Sequence, residues 1–547
     1  MGGHKGRSQN PSRDRKRAVG KAGVRSQESE IRSQNFALWH LLLVVAAMSV
    51  LAGSGCSAQR DPRTVVMLIE SSPLNLDPRI GTDAQSERIS ALIFDSLLRR
   101  DRSSNLQPWL AERWESPDPL TYIFHLRAGV RFHDGKPLTA RDVRYTFTSL
   151  LSGKIASVKA ANFSLISSVE APDDSTVVIR LKEPHASFLW NMTQGAIGIV
   201  PEGSAGELAR RPVGSGPFRF VSASQDEDVV LERNPDYWAG PPRIERVRFR
   251  VVPDTTTRAL ELRKGTADLA LNSLTADMVE ALRGEKHLRV LREPGNTYQY
   301  IALNLESKNL PLPVRQAISY AINREPLIGY LWRDLVRPAN SILPPQHWAY
   351  APDLPSYSYN PLKAQELLDN SGYPAGPDGV RLRLEMKTST EQIARELAAV
   401  LQEQLRQVGI ALEIRSYEFA TFYADITQGN FDLYSLRWVA GNDDPDIFEY
   451  CFHSKKIPPA GANRGHYVNP EVDRLIEQAR SSADLADRRQ KYAQIQQILN
   501  RDLPYIHLWY VDNVAVYDRR LTNLHLFPTG NYDFLAEIEA LLARPPS

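Results

Sequence analysis

Residues Leu110 to Phe147 read LAERWESPDPLTYIFHLRAGVRFHDGKPLTARDVRYTF, and this stretch decides the fold class. Thr121 to Leu126 (TYIFHL) alternates apolar and polar side chains, the period-two pattern of a strand with one buried face. Gly129 and the triplet His133-Asp134-Gly135 mark turns, because glycine adopts backbone angles that other residues resist. Thr139 follows as an N-cap ahead of Val143 and Phe147, which share a helical face. Trp114 is expected to anchor a helix end before the strand. Strand, turn and capped helix in quick succession predict a mixed α/β protein.

The same mixture continues on both sides. Thr176 to Leu181 (TVVIRL) and Arg248 to Val252 (RFRVV) are β-branched or alternating runs. The second half is more helical. Lys363 to Asn370 stops at Gly372 with Pro374 beyond, and Glu391 to Gln407 carries Ile393, Leu397, Val400, Leu401 and Leu405 at helical spacing before Gly409. Ile410 to Ile414 then reads as a strand. Asn469-Pro470 opens another helix, with Asn as cap and Pro at the first helical position, and a further helix covers Arg488 to Leu499.

The N-terminus has a different character. Nine Lys/Arg and three Asp/Glu fall within the first 55 residues, so the whole-chain charge of +2 leaves the remainder at about -4. A slightly acidic body gives no electrostatic reason to expect nucleic acid as a partner. After the basic stretch comes an uncharged run, Phe36 to Gly55, ending on Cys56. Positive charge, an apolar segment and small residues at a cleavage point form an export signal. Ser54-Gly55-Cys56 resembles the lipobox of bacterial lipoproteins, although Gly53 stands where that motif has Leu. Residues 1–55 are therefore read as the leader and 56–62 as a lipidated tether. The alternative is an uncleaved anchor of about minimum spanning length. Either way the body lies outside the cytoplasmic membrane, in the periplasm or on the membrane's outer face. With only Cys56 and Cys451 present, acylation of the first leaves no intrachain disulfide.

Signals for catalysis are weak. There is no HExxH and no glycine-lysine phosphate loop; Gly214-Ser215-Gly216 lacks the third glycine of a dinucleotide fingerprint, since Arg219 stands there. A turn between Pro212 and Pro217 is the simpler reading. Cys451, His453 and His466 are the one combination of soft metal ligands, with packing or surface roles as the alternative. The expectation is a protein that is not an enzyme and uses no cofactor or metal.

Taken in order, these segments resemble the family of extracellular solute-binding proteins that includes the oligopeptide-, dipeptide- and nickel-binding proteins of ABC importers. Besides Leu110 to Phe147, the resemblance rests on Leu76-Asp77-Pro78, Val213 to Phe218 (VGSGPF), Leu231 to Trp238 (LERNPDYW), Arg263 to Leu269 (RKGTADL), Val314 to Ile318 with Ala321 to Arg324, Asn463 to Tyr467, the Val472 to Leu475 helix and Asp502 to Leu508 (DLPYIHL). It covers Thr64 to about Asn531. It implies an α/β, two-lobed periplasmic-binding-protein clamp (type II-like) with an extra small α/β domain. Carried over, lobe I takes residues 60–100, 213–300 and 510–547, the extra domain 101–212, and lobe II 301–509. The implied function is that of a substrate-binding lipoprotein, a monomer that captures peptide-like solutes and delivers them to an ABC permease.

The resemblance also implies a site. In peptide-binding relatives an aspartate shortly after a Trp holds the ligand's ammonium. Here Trp438 fits the Trp, but Gly441 occupies the aspartate's place, with Asp443 or Asp444 as substitutes if the loop is re-registered. Arg437 stands where relatives have a small residue; it is suited to a ligand carboxylate, or to a salt bridge with Asp443 or Asp444. Further candidates by alignment are Asp83, Asn272, Tyr298 and Phe419. Helix capping for Asp83, backbone satisfaction for Asn272 and core packing for the aromatics are their structural alternatives. A nickel complex, an opine-like compound, an oligosaccharide, or a peptide-sensing role without transport are the competing functions.

Overall fold

Two long strands organise the molecule. Leu288–Leu303 and Tyr505–Asp518 run antiparallel to each other within an eleven-stranded sheet. The computed structural model describes residues 63–541, except 194, 196, 205, 440–443 and 483. At one end of the long pair the sheet continues through Leu269–Leu271, Thr64–Ile69, Arg246–Val251, Asp228–Arg233 and Phe218–Ser224. At the other end it continues through Leu433–Trp438, Leu382–Ser389 and Ile410–Tyr417. Each half has its own core. One gathers Val65, Met67, Phe249, Leu269 and Phe534; the other gathers Leu303, Val314, Leu384, Leu401 and Ile506. A third core packs the opposite face of the second half, with Tyr298, Tyr300, Tyr434 and Tyr492.

Between the halves the ladder breaks. The register of the long pair shifts between Glu293 and Thr297. Gly295 lies there, and a Cβ on it would come within 2.2 Å of the Val511 carbonyl oxygen, so the strands approach too closely for any other residue.

The opening stretch of the sequence analysis forms a separate four-stranded antiparallel sheet, Ala111–Asp118, Thr121–Leu126, Thr176–Leu181 and Ile166–Glu170. Helix Ala140–Leu151 covers it with Val143, Phe147 and Leu150. The Asp142 carboxylate accepts the Thr139 N–H at 2.7 Å, fixing the helix start. Trp114 corrects one expectation. It lies mid-strand, paired with Phe124, and ends no helix. On this outer strand, hairpin pairing with Thr121–Leu126 sets the structure where local pattern is ambiguous.

Several motifs that look unrelated in sequence converge on Asp95, just past helix Ala84–Ile93. Its buried carboxylate accepts from Trp109 Nε1 at 2.9 Å and Tyr237 O–H at 3.0 Å on one oxygen. The other oxygen accepts from Ser215 O–H at 2.9 Å and Trp238 Nε1 at 3.0 Å. Gly214 and Gly216 make this possible. Cβ atoms there would come within 2.0 Å of the Ile93 oxygen and 2.6 Å of the Leu92 oxygen. The His133 ring joins the same seam: Nε2 donates to the Gly216 carbonyl at 3.0 Å, and Nδ1 accepts from the Gly214 N–H at 3.3 Å. That arrangement requires the neutral imidazole.

Burial lowers the His133 pKa to about 4, against the partial pull of the Gly216 carbonyl, and lowers that of His507 to about 3, with Arg324 adding repulsion. Both values lie below the unfolded 6.5, so the unfolded chain binds these protons first. Stability is intact above pH 6.5 and falls as pH drops below it, by about 1.4 kcal/mol per pH unit for each histidine. His133→Gln is expected to flatten the slope of urea-unfolding free energy between pH 6.5 and 4.5. An unchanged slope would remove His133 from the acid response.

Among the described residues no helix is long and apolar enough to cross a membrane. The apolar run Phe36 to Gly55 and Cys56 lie outside the described residues.

Candidate functional site

Where the parallel strands of the second half end, a cavity of about 210 Å³ opens. The crevice beyond the carboxyl ends of parallel strands is where open α/β sheets bind ligands. Strand Leu433–Trp438 supplies Ser435 and Arg437, the long strands supply Gln299 and Trp509, and Leu382–Ser389 ends at Ser389 on the rim. Leu331 and Trp332 come from helix Arg324–Trp332, Ile393, Ala394 and Leu397 from helix Gln392–Arg406, and Phe419 from the start of helix Phe419–Thr427.

The cavity has an ionic rim and an aromatic interior. Arg437 Nη2 meets the Glu391 carboxylate at 3.1 and 3.4 Å, both side chains partly open to solvent. A pair this exposed is weak and open to exchange with a ligand's own charge. Further in, Gln299 Nε2 donates to Ser435 Oγ at 2.7 Å, and Ser435 passes a hydrogen bond to the Tyr300 carbonyl at 2.8 Å. Trp509 is 1% exposed, and its ring meets Trp332 edge-to-face at 6.2 Å.

Of the residues singled out in the sequence, Arg437 and Phe419 come together here. Trp438 does not line the cavity. Successive residues of a strand point to opposite faces, so Trp438 stacks on Tyr300 at 6.4 Å and meets Tyr450 edge-on at 6.1 Å. Tyr298 is wholly buried on that same face, bonded through its hydroxyl to His507 Nδ1 and stacked on Tyr300 at 5.5 Å. Asp83 is the N-cap of helix Ala84–Ile93, accepting from Ser86 N at 2.9 Å. Asn272, at φ 53°, bonds Asn513 at 2.7 Å and the Val514 N–H at 2.8 Å, joining the first half of the sheet to the long strand. Gly441 and Asp443 lie outside the described residues.

Among the described residues the partner of Arg437 is Glu391 and not Asp444, one of the two aspartates weighed for it. Asp444 faces inward: Arg488 Nη2 stands 3.9 Å from its carboxylate, and burial raises its pKa to about 6, with Asp446 adding repulsion. A group so placed is no substitute for an ammonium-binding acid in an open crevice. Cys451 is buried, His453 pairs with Glu477 at 3.2 Å, and His466 pairs with Glu306 at 2.8 Å. Among the described residues no group of three or more His, Cys, Asp or Glu could hold a metal.

Sequence reasoning missed Glu391, Gln299, Trp332 and Trp509. Gln299 carried a signal, being the one amide side chain within TYQYIAL. The two tryptophans carried none, because their meeting depends on packing between a strand and a helix far apart in the chain.

The model of the bacterial extracellular solute-binding proteins, family 5, matches residues 105–458. The chain belongs to this family of binding proteins and shares its two-lobed α/β fold. It is 30% identical to heme-binding protein A of Haemophilus influenzae, over 81% of this chain and 86% of that one. It is 28% identical to the glutathione-binding protein GsiB of Pectobacterium atrosepticum, over 90% and 97%. Among solved structures, NikZ of Campylobacter jejuni in complex with Ni(L-His) matches at TM-score 0.72 and 27% identity, covering 88% of this chain and all (100%) of that one. DppA of Helicobacter pylori, in complex with the peptide STSA, matches at TM-score 0.70 and 28% identity, covering 87% and 98%.

Proposed function

We propose that the chain is the substrate-binding lipoprotein of an ABC importer and captures a short peptide-like solute with a negative charge. The observation that carries this reading is Arg437, held at the rim of an open cavity by the exposed carboxylate of Glu391. A ligand carboxylate would displace Glu391 and take the guanidinium in bidentate fashion. The glutathione-binding and peptide-binding names among the relatives are in keeping with such a ligand. We assign residues 60–100, 213–300 and 510–547 to lobe I, 101–212 to the extra domain and 301–509 to lobe II. In this reading the lobes close about residues 294–296, where the long strands are unpaired, and Cys56 carries the lipid that keeps the receptor beside its permease.

Gly441 in place of an acid favours a second reading, a ligand without a free ammonium. Both readings meet one experiment, thermal unfolding of the purified protein with free and N-acetylated peptides and with glutathione. Ligand at 100 times its dissociation constant is expected to add about 2.7 kcal/mol. Arg437→Ala is expected to weaken binding of ligands with a free carboxylate about tenfold or more and leave amidated ones unaffected. Equal loss for both would remove the carboxylate from the reading, and no shift with any peptide would redirect the search to metal complexes and opines.

A further inference from the structure

Among the described residues that line the cavity, Arg437 is the one cation and Glu391 the one anion. Both side chains are reachable from solvent, at 35% and 55% exposure. Glu391 is the N-cap residue of helix Gln392–Arg406, yet its side chain makes no capping hydrogen bond. The carboxylate turns instead to Arg437 Nη2, at 3.1 and 3.4 Å. Charge balance then decides what displaces the pair. A ligand bringing a carboxylate alone takes Arg437 and leaves Glu391 beside a second negative charge, with no cation to answer it. A ligand that also brings an ammonium gives Glu391 a new partner, and all four charges stay paired. Distance fixes where that ammonium sits. Arg437 and Glu391 touch, so the ligand's two charges must be neighbours as well. An ammonium and a carboxylate on one carbon stand about 2.5 Å apart, nitrogen to carbon, whereas each α-linked residue between them adds up to about 3.5 Å.

We infer that Arg437 and Glu391 together recognise an α-amino-acid head, an ammonium and a carboxylate on the same carbon, with Glu391 taking the ammonium. The inference rests on the peptide-capture reading and names the peptides concerned: those joined through a side chain, such as γ-glutamyl peptides, which keep a free head. Arg437 takes the head's carboxylate, and the displaced Glu391 turns to its ammonium. The rest of the ligand lies along the apolar wall of Leu331, Ile393, Leu397 and Phe419.

The test uses two isomers, γ-glutamyl-alanine and α-glutamyl-alanine. They share their atoms and net charge, but only the first keeps ammonium and carboxylate on one carbon. Calorimetry on the full chain is expected to favour the γ isomer by roughly tenfold or more. Glu391→Gln, its fold established by circular dichroism, should weaken γ-glutamyl-alanine by a similar factor. The same variant should bind the N-acetyl derivative equally well or more tightly, because the internal competitor for Arg437 is gone. A merely structural role for Glu391 would move both ligands the same way. Equal affinity for the two isomers overturns the head, and parallel loss of free and acetylated ligand overturns the place of the ammonium at Glu391. Trialanine binding as tightly as the γ isomer keeps peptide capture and overturns the head. Phenylalanine carries the head without a peptide bond. If neither isomer nor trialanine binds, a preference for phenylalanine over both N-acetylphenylalanine and phenylalaninamide would sink peptide capture and keep the head. Binding of none of these overturns both.

Discussion

Asp95→Ala is expected to destabilise the protein by about 4–6 kcal/mol, enough to leave much of it unfolded at 37 °C. Two indole N–H groups and two hydroxyls end on this carboxylate, and its removal strands them in a dry seam. Each buried orphan costs about 1–3 kcal/mol, and only the hydroxyls can rotate toward another acceptor. Native stabilities of about 5–15 kcal/mol leave little margin for such a loss. Asp95→Asn discriminates further. Trp109 and Trp238 donate to different oxygens, so either orientation of the amide sets an N–H₂ group against one indole N–H. The asparagine variant should therefore lose about 1–3 kcal/mol, between wild type and alanine. Urea unfolding followed by circular dichroism gives the order. Losses below about 1 kcal/mol for both variants would mean that water or rearrangement satisfies the four donors.

This seam also explains how much of the fold the sequence disclosed. VGSGPF, LERNPDYW and the His133 turn are recognisable because each is held by a specific atom-to-atom requirement: glycine for close approach, a neutral imidazole between two backbone groups, and aromatic donors aimed at Asp95. Motifs of that kind are written locally. Helix starts were legible for the same reason: Asn469 accepts from Glu471 N at 3.0 Å, as an asparagine before a proline foretells. Helix Leu485–Asp502 begins a turn earlier than its apolar pattern suggests, because Asp484 caps it by accepting from Ala486 N at 2.9 Å. Trp114 was misjudged because hairpin pairing, a nonlocal contact, decides the conformation of its segment.

The site was less legible. Of the candidates reached by resemblance, Arg437 and Phe419 line one cavity and Trp438 does not, because adjacent strand residues face opposite sides. Tyr298, Asp83 and Asn272 occupy places in the scaffold: a core ring, a helix cap and a junction between strands. The cavity itself arises where helix Gln392–Arg406 and helix Arg324–Trp332 meet the strand ends, and no spacing within one segment records that meeting.

The second large effect is expected at Arg488, which joins the small four-stranded region to the helices of the second half. Its guanidinium carbon lies 5.1 Å from the Trp190 ring, 5.3 Å from Trp348 and 5.7 Å from Tyr492. It also donates to Ser187 Oγ at 3.2 Å and to the Ala479 carbonyl at 3.1 Å, beside the Asp444 carboxylate. Nearby, Arg480 donates to His185 Nδ1 at 3.2 Å, so the short segment Ala186–Met192 and its flank dock through two arginines. Arg488→Ala would leave Asp444 buried without its cation and strip three aromatic faces of a contact. The expected loss is about 3–5 kcal/mol. Lysine keeps the charge but cannot lie flat on tryptophan while donating to two oxygens, so Arg488→Lys should recover only part of it. A double-mutant cycle with Asp444→Asn separates the terms. If the charge pair dominates, Arg488→Ala costs clearly less in the Asp444→Asn background. An equal cost in both backgrounds would assign the docking to the aromatic faces and the backbone carbonyl, with Asp444 a bystander.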